Sequence, residues 1–341
     1  MKLVSFTTAK DEERLGLVVN DAIVDLANAA AKLSISLPFT MAEFLNGEKR
    51  LMDRAHSVHK KLADGVADLF VEKNARLLAP VPHPTSCRDA YAFRQHVATA
   101  RRNRGLEMIP EFDQFPVFYF TNHHGIVGPG EVVVESDHLQ QLDFELEVAI
   151  VIGRGGKNIT ANEADDYIAG FMVMNDLSAR VLQMDEMKLS LGPAKGKDFA
   201  TAVGPWLVTP DELQGHLVPS SSGNRYDLAM KAFHNGRQVS DGNLSQMNWT
   251  FAEIIERAAY GVQLFPGDII GSGTVGTGCY LELNGTWGIE AKDRGESFTP
   301  VWLKAGDSIT LEVTGLGQLT NTIAKSAEDR SILAKKRPVR S

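Results

Sequence analysis

The run Leu142-Asp143-Phe144-Glu145-Leu146-Glu147-Val148-Ala149-Ile150-Val151-Ile152 constrains this chain more than any other segment. Its apolar character is that of a buried strand, yet it carries two carboxylates two residues apart. Side chains alternate across a strand, so Glu145 and Glu147 face one way and Leu146 and Val148 the other. Like charges crowded at the edge of an apolar segment repel each other and resist losing water. A hard divalent cation such as Mg²⁺, which prefers oxygen ligands, removes both costs. The strand therefore predicts half of a metal site.

Composition narrows the setting. A chain of 341 residues, 43% of them hydrophobic, can build one large domain with a small one, or two of similar size. With 43 acidic against 35 basic residues it has no footprint for nucleic acid. The short cluster Arg101-Arg102 with Arg104 reads as a solvated helix face. Cys87 and Cys279 cannot make a disulfide framework and lack metal-type spacing, which fits a reducing, cytoplasmic setting. Neither a signal peptide nor an apolar run long enough to span a membrane is evident.

Residues 3–26 read as short strands, with Asn20-Asp21 as a tight hairpin turn, and 41–48 and 50–64 read as helices. The alternating prolines of Pro80-Val81-Pro82-His83-Pro84 favour extended backbone and mark a boundary. The expected division is a small N-terminal α/β domain at 1–78 and a larger domain at 79–341. The latter reads as mainly β (α+β), with strands near 117–120, 131–134, 143–152, 170–174, 204–208, 226–234, 268–272, 279–283 and 308–313. Helices are expected near 88–104, 162–168, 178–188 and 250–259. The absence of regular βαβ alternation argues against a doubly wound sheet.

Three tempting motifs fail on context. Gly271-Ser272-Gly273-Thr274-Val275-Gly276 matches the dinucleotide fingerprint, but Cys279-Tyr280-Leu281-Glu282-Leu283 reads as a strand where a helix is required. Gly192-Pro193-Ala194-Lys195-Gly196-Lys197 is one residue short of a P-loop, and Asp198 stands where Ser or Thr would meet the metal. His123-His124 lacks spaced partners and reads as part of a loop.

A third metal carboxylate is expected at Asp176, at the end of the segment Ala169-Gly170-Phe171-Met172-Val173-Met174-Asn175, although an Asp there could instead cap the following helix. Arg180 and Gln183, four and seven residues on, would share a helical face with Asp176 and form a polar substrate wall. Asp89 and His96 are seven apart, two turns of the helix expected at 88–104, and so would share a face as well.

Taken together, Asp89 with Arg94-Gln95-His96, Glu145-Leu146-Glu147, Asn175-Asp176-Leu177-Ser178-Ala179-Arg180, Leu191-Gly192-Pro193 through Lys197, Gly271-Ser272-Gly273-Thr274 and Leu281-Glu282-Leu283 resemble the fumarylacetoacetate hydrolase family in order and identity. The resemblance covers about 85–325 and implies a mixed β-roll catalytic domain paired into homodimers. It implies that Asp89, Glu145, Glu147 and Asp176 bind Mg²⁺, or Mn²⁺ or Ca²⁺ as in some members. His96 matches the general base and Glu282 the acid that orients it. Arg180, Gln183, Lys197 and Thr274 match positions around the substrate, and Tyr91 and Tyr119 match substrate-contacting tyrosines. Met187 stands where the fumarylacetoacetate enzyme has a further tyrosine, which bears on substrate identity.

The implied activity is metal-dependent hydrolysis of a carbon–carbon bond in a 1,3-diketone or acylpyruvate. His96 would activate water, Lys197 and Gln183 would stabilise negative charge, and Arg180 or a neighbouring Arg would grip the carboxylate of a keto-acid substrate. The alternative is a lyase of the same family, decarboxylating oxaloacetate-type acids or isomerising or hydrating dienoates. A catalytically silent member would have lost some of these polar residues, and all are present.

Overall fold

The architecture is given by a computed structural model, which describes residues 1–65, 75–328 and 330–337. Strands β1 (Lys2–Thr7), β2 (Glu13–Val19) and β3 (Ala22–Asp25) form an antiparallel meander. Asn20 and Asp21, at φ 49° and 61°, turn the second hairpin as expected. Helices α1 (Leu26–Lys32), α2 (Met41–Leu45) and α3 (Glu48–Ala63) follow. Thr40 caps α2 by accepting from the Glu43 amide.

The larger part contains β4 (Cys87–Ala90), α4 (Arg94–Arg102), β5 (Phe118–Thr121), β6 (Gly130–Val134), β7 (Leu146–Ile152), β8 (Ile168–Asp176), α5 (Arg180–Met187) and α6 (Ala194–Lys197). It continues through β9 (Thr201–Val208), β10 (Ala229–His234), β11 (Arg237–Asn243), α7 (Phe251–Ala259), β12 (Ile269–Gly271), α8 (Tyr280–Asp293), β13 (Ser308–Val313) and β14 (Gly317–Lys325). The main sheet runs β3-β2-β1-β9-β8-β7-β12-β4-β5, and a second sheet runs β11-β10-β13-β14-β6. Both are mixed, with β12–β4 and β14–β6 as parallel pairs. Sheets dominate, as the mainly β expectation holds, and the N-terminal meander joins the main sheet through Lys2↔Val208 and Leu3↔Leu207.

Strand β7 lies mid-sheet and separates two cores. Leu146, Val148, Ile150 and Ile152 pack into the larger one, whereas Ala149 and Val151 pack with residues of the N-terminal meander and helices. Burying each Leu, Val or Ile contributes about 1.5–3 kcal/mol, and since both faces are buried, a register slip is penalised by turning the Glu147 carboxylate into the larger apolar core.

Four expectations need correction. The 88–104 segment is not one helix: β4 pairs with β12 on one side and β5 on the other, and the helix starts only at Arg94. The 143–152 strand is interrupted, leaving Glu145 between Leu142–Asp143 and β7. Residues 162–168 give a 3₁₀ turn at Ala164–Tyr167, because Ile168 is drawn into β8. The segment 279–283 opens α8: the Asp143 carboxylate accepts from the Tyr280 and Leu281 amides at 2.7 and 2.9 Å, which satisfies the helix start from another part of the chain.

Candidate active site

Parity along neighbouring strands builds the site. Cys87, Ala149, Met174 and Ile269 all pack into the core shared with the N-terminal elements. Two residues beyond Cys87, Met174 and Ile269 come Asp89, Asp176 and Gly271, and two before Ala149 comes Glu147, so these four lie on one face of adjoining strands. Gly271 pairs with Asp89 across the ladder. A Cβ at 271 would stand 2.5 Å from Asp89 Oδ1 and 2.9 Å from the Met174 sulfur, so glycine is what opens the floor of the site. Glu145 enters from the break before β7, its amide donating to Asn175 Oδ1 at 3.0 Å. Oxygens of Asp89, Glu145, Glu147 and Asp176 all lie within 4.8 Å of one another, and all four residues are buried.

Asp143 is buried as well, and the only cations bonded among these acids are Arg180 and Lys197 in the described residues. Arg180 donates through Nε to Asp143 (2.8 Å), through Nη2 to Glu145 (2.7 Å) and through Nη1 to Gln183 (2.8 Å). Lys197 Nζ donates to Glu145 and Asp176, both at 2.6 Å. Against burial, Lys197 and Arg180 hold the Glu145 carboxyl down at about 2. Asp89 has no such partner: burial, reinforced by Asp176, pushes it up to about 8. Burial beside Asp89 and Glu145 pushes Glu147 well above the usual range, and burial outweighs Lys197 in raising Asp176. Hard oxygen donors that remain too negative for their surroundings fit a divalent cation.

Next to this floor stands a histidine–carboxylate pair. His96 Nδ1 lies 2.6 Å from Glu282 Oε2, and both residues are buried. Glu282 Oε1 accepts from the Thr277 amide at 3.1 Å. Tyr91 packs edge-on against His96 with ring centroids 6.0 Å apart. Tyr119 donates its hydroxyl to Asp176 Oδ2, and Thr274 Oγ1 lies 3.4 Å from Glu147 Oε1. Gly273 donates one amide to both Asp89 and Glu147 at 3.1 Å.

One cavity of about 390 Å³ gathers these groups: Asp89, Glu145, His96, Lys197, Tyr91 and Tyr119 line it, as do Arg180, Gln183 and Thr274. Glu147, Asp176 and Glu282 stand behind, bonded to lining residues. The sequence-predicted residues thus come together, but not by the helical spacings first used to relate them. Asp89 lies within β4 while His96 lies on α4, and Asp176 ends β8 while Arg180 opens α5. Arg180 bonds through Nε and both Nη nitrogens to Asp143, Glu145 and Gln183. Arg104, read from sequence as solvated helix surface, also lines the cavity.

The sequence reading assigns no role to Asp143 or Thr277, and Asn175 enters it only as part of the motif that ends at Arg180. An aspartate inside an apolar run is the available signal for Asp143; nothing local marks Thr277. The fingerprint-like glycines do precede a helix, contrary to the reason first given against them. Asp143 occupies that helix's first amides and Gly273 faces carboxylates, so the place is unsuited to a pyrophosphate.

Fold and site together define a β-rich enzyme whose buried acidic centre suits a divalent cation. Residues 85–324 match the family model for the fumarylacetoacetate (FAA) hydrolase C-terminal region, and the chain belongs to the fumarylacetoacetate hydrolase family. It is 30% identical over 332 residues to the mitochondrial oxaloacetate tautomerase Fahd2a of Rattus norvegicus, covering 95% of this chain and 91% of that protein. It is 27% identical to the oxaloacetate tautomerase YisK of Bacillus subtilis, covering 94% and 100%. Maleylpyruvate hydrolase from Sphingobium sp. SYK-6, solved with manganese(II) and pyruvate, shares the fold at a TM-score of 0.66 and 20% identity, covering 96% of this chain and 100% of that one. Among the described residues no helix is long and apolar enough to cross a membrane.

Proposed function

We propose that this enzyme catalyses keto–enol tautomerisation of an oxaloacetate-like 2-oxo dicarboxylate. The observation that carries the reading is the pairing of a held base, His96, with a buried ammonium, Lys197, around one carboxylate-floored cavity. Full-length similarity to two oxaloacetate tautomerases supports it.

Asp89, Glu145, Glu147 and Asp176 would hold a divalent ion, which when bound would supply Lewis acidity to the substrate carbonyl. His96 Nε2 removes a proton from the carbon beside that group; the C–H electrons become the new carbon–carbon double bond, and the carbonyl π electrons move to oxygen. Glu282, on Nδ1, fixes the ring tautomer and stabilises the imidazolium that forms. Lys197, two of whose three protons are given to Glu145 and Asp176, places positive charge where the oxygen gains negative charge. Proton return to oxygen completes the enol, and the reverse sequence ketonises it. With Arg180 engaged by Asp143, Glu145 and Gln183, Arg104, which also lines the cavity, offers a charge to meet a distal carboxylate.

A second reading is hydrolytic carbon–carbon cleavage of an acylpyruvate, which sequence motifs alone rank first. The His96–Glu282 pair favours it, because the same pair can deprotonate water. The test dilutes enol oxaloacetate into buffer with Mn²⁺-loaded protein and follows loss of enol absorbance, beside a parallel acylpyruvate cleavage assay. Accelerated ketonisation, lowered roughly 100-fold or more by His96→Ala, is expected. Acylpyruvate cleavage without accelerated ketonisation would replace the proposal with the second reading.

A further inference from the structure

The loop between β12 and α8 contains a backbone conformation that the chemistry above leaves unexplained. Thr277 sits at φ 68°, in the left-handed region, where a β-branched residue is an outlier. It is held there by β11 of the other sheet. Ser240 Oγ lies 3.1 Å from Thr277 Oγ1, the Asp241 amide donates to that oxygen at 3.4 Å, and Oγ1 donates to the Asp241 carbonyl at 3.3 Å. Gly242 allows the approach, since a Cβ there would stand 2.6 Å from Val275 Cγ2.

This backbone turn aims the Thr277 amide at Glu282 Oε1 (3.1 Å) while Oε2 faces His96 Nδ1 (2.6 Å). A carboxylate bonded at both oxygens is fixed in rotation, and so is the imidazole it holds. Glycine would accept the same φ without strain; threonine adds the hydroxyl through which the second sheet grips the loop.

We propose that Thr277 is a positioning residue for the His96–Glu282 pair, clasped in place by Ser240 and Asp241. The inference rests on His96 being the base proposed above. It is tested by ketonisation kinetics of the full chain loaded with Mn²⁺, comparing Thr277→Val, Thr277→Ser, Ser240→Ala and His96→Ala. Loosening a held base by removing the clasp is expected to lower kcat about tenfold in Thr277→Val, with KM and Mn²⁺ affinity unchanged. Thr277→Ser, which keeps the hydroxyl, restores most of the rate. Ser240→Ala lowers kcat in the same sense without touching the loop, and carries the test if Thr277→Val fails to fold. In a His96→Ala background, Thr277→Val causes no further loss, because its effect passes through His96. Wild-type kcat in both clasp variants, an equal fold-loss with and without His96, or a loss confined to Mn²⁺ affinity would each overturn the assignment. A His96→Ala protein of normal activity would instead overturn the functional reading beneath it.

Discussion

Removing metal should expose the protons stored in the acidic centre. Asp89 is raised from 3.8 to about 8 by burial and by Asp176, and Glu147 is raised in the same sense. A carboxyl that is neutral in the folded chain and ionised in the unfolded one stabilises the fold at low pH. That contribution is lost as pH rises through the folded value. Between about pH 5 and pH 8 the acidic centre of the folded metal-free protein therefore binds at least one more proton than it does in the unfolded chain. The Asp89 contribution to the unfolding free energy should fall by about 1.4 kcal/mol per pH unit, roughly 4 kcal/mol over the window, offset in part by His59 and His138, which burial holds below the usual histidine value. The acid-stable partner in the cluster, Glu145 at about 2, stays ionised throughout and contributes no slope there. Divalent ion binding needs ionised ligands, so uptake must expel that proton, and affinity should rise about tenfold per pH unit up to about pH 8. Urea unfolding of chelator-stripped protein across this range measures the first quantity. Mn²⁺ titration calorimetry in buffers of different ionisation enthalpy measures the second. Metal-free stability that is flat or rising from pH 5 to 8, together with Mn²⁺ binding that releases no proton, would refute the charge reasoning.

Two substitutions probe how the site is built. Gly271→Ala places a methyl 2.5 Å from Asp89 Oδ1; Met174 can yield but the Asp89 carboxylate cannot without leaving the cluster, so a cost of about 1–3 kcal/mol and clearly weaker Mn²⁺ binding are expected from melts and calorimetry. Asp143→Ala leaves the buried Arg180 short of a counter-charge and frees the Tyr280 and Leu281 amides, which should cost roughly 3–5 kcal/mol in chemical denaturation; a loss below about 1 kcal/mol would show that Arg180 does not depend on Asp143.

Much of the site was legible because it breaks local rules. Glu147 inside an apolar strand and Asp176 at the end of another are costly unless something compensates them, and that cost can be read without a fold. The order of the remaining motifs carried Asp89, His96, Lys197 and Glu282. Local pattern misassigned the elements holding two of them. Asp89 lies in a strand because β12 and β5 supply its backbone partners, and Glu282 lies in a helix because Asp143 caps it from 137 residues away in the chain.

What the sequence determined by itself was the buried strand, its uncompensated carboxylates and the set of polar residues gathered around them. Tertiary structure alone decided the division of labour. It turned Arg180 toward Asp143 and Glu145, put Lys197 between Glu145 and Asp176, and left Asp89 with no bonded cation among the described residues. The physical reason is that charge compensation at a buried site depends on distances of a few ångströms between groups far apart in the chain, which strand parity and helical spacing do not specify.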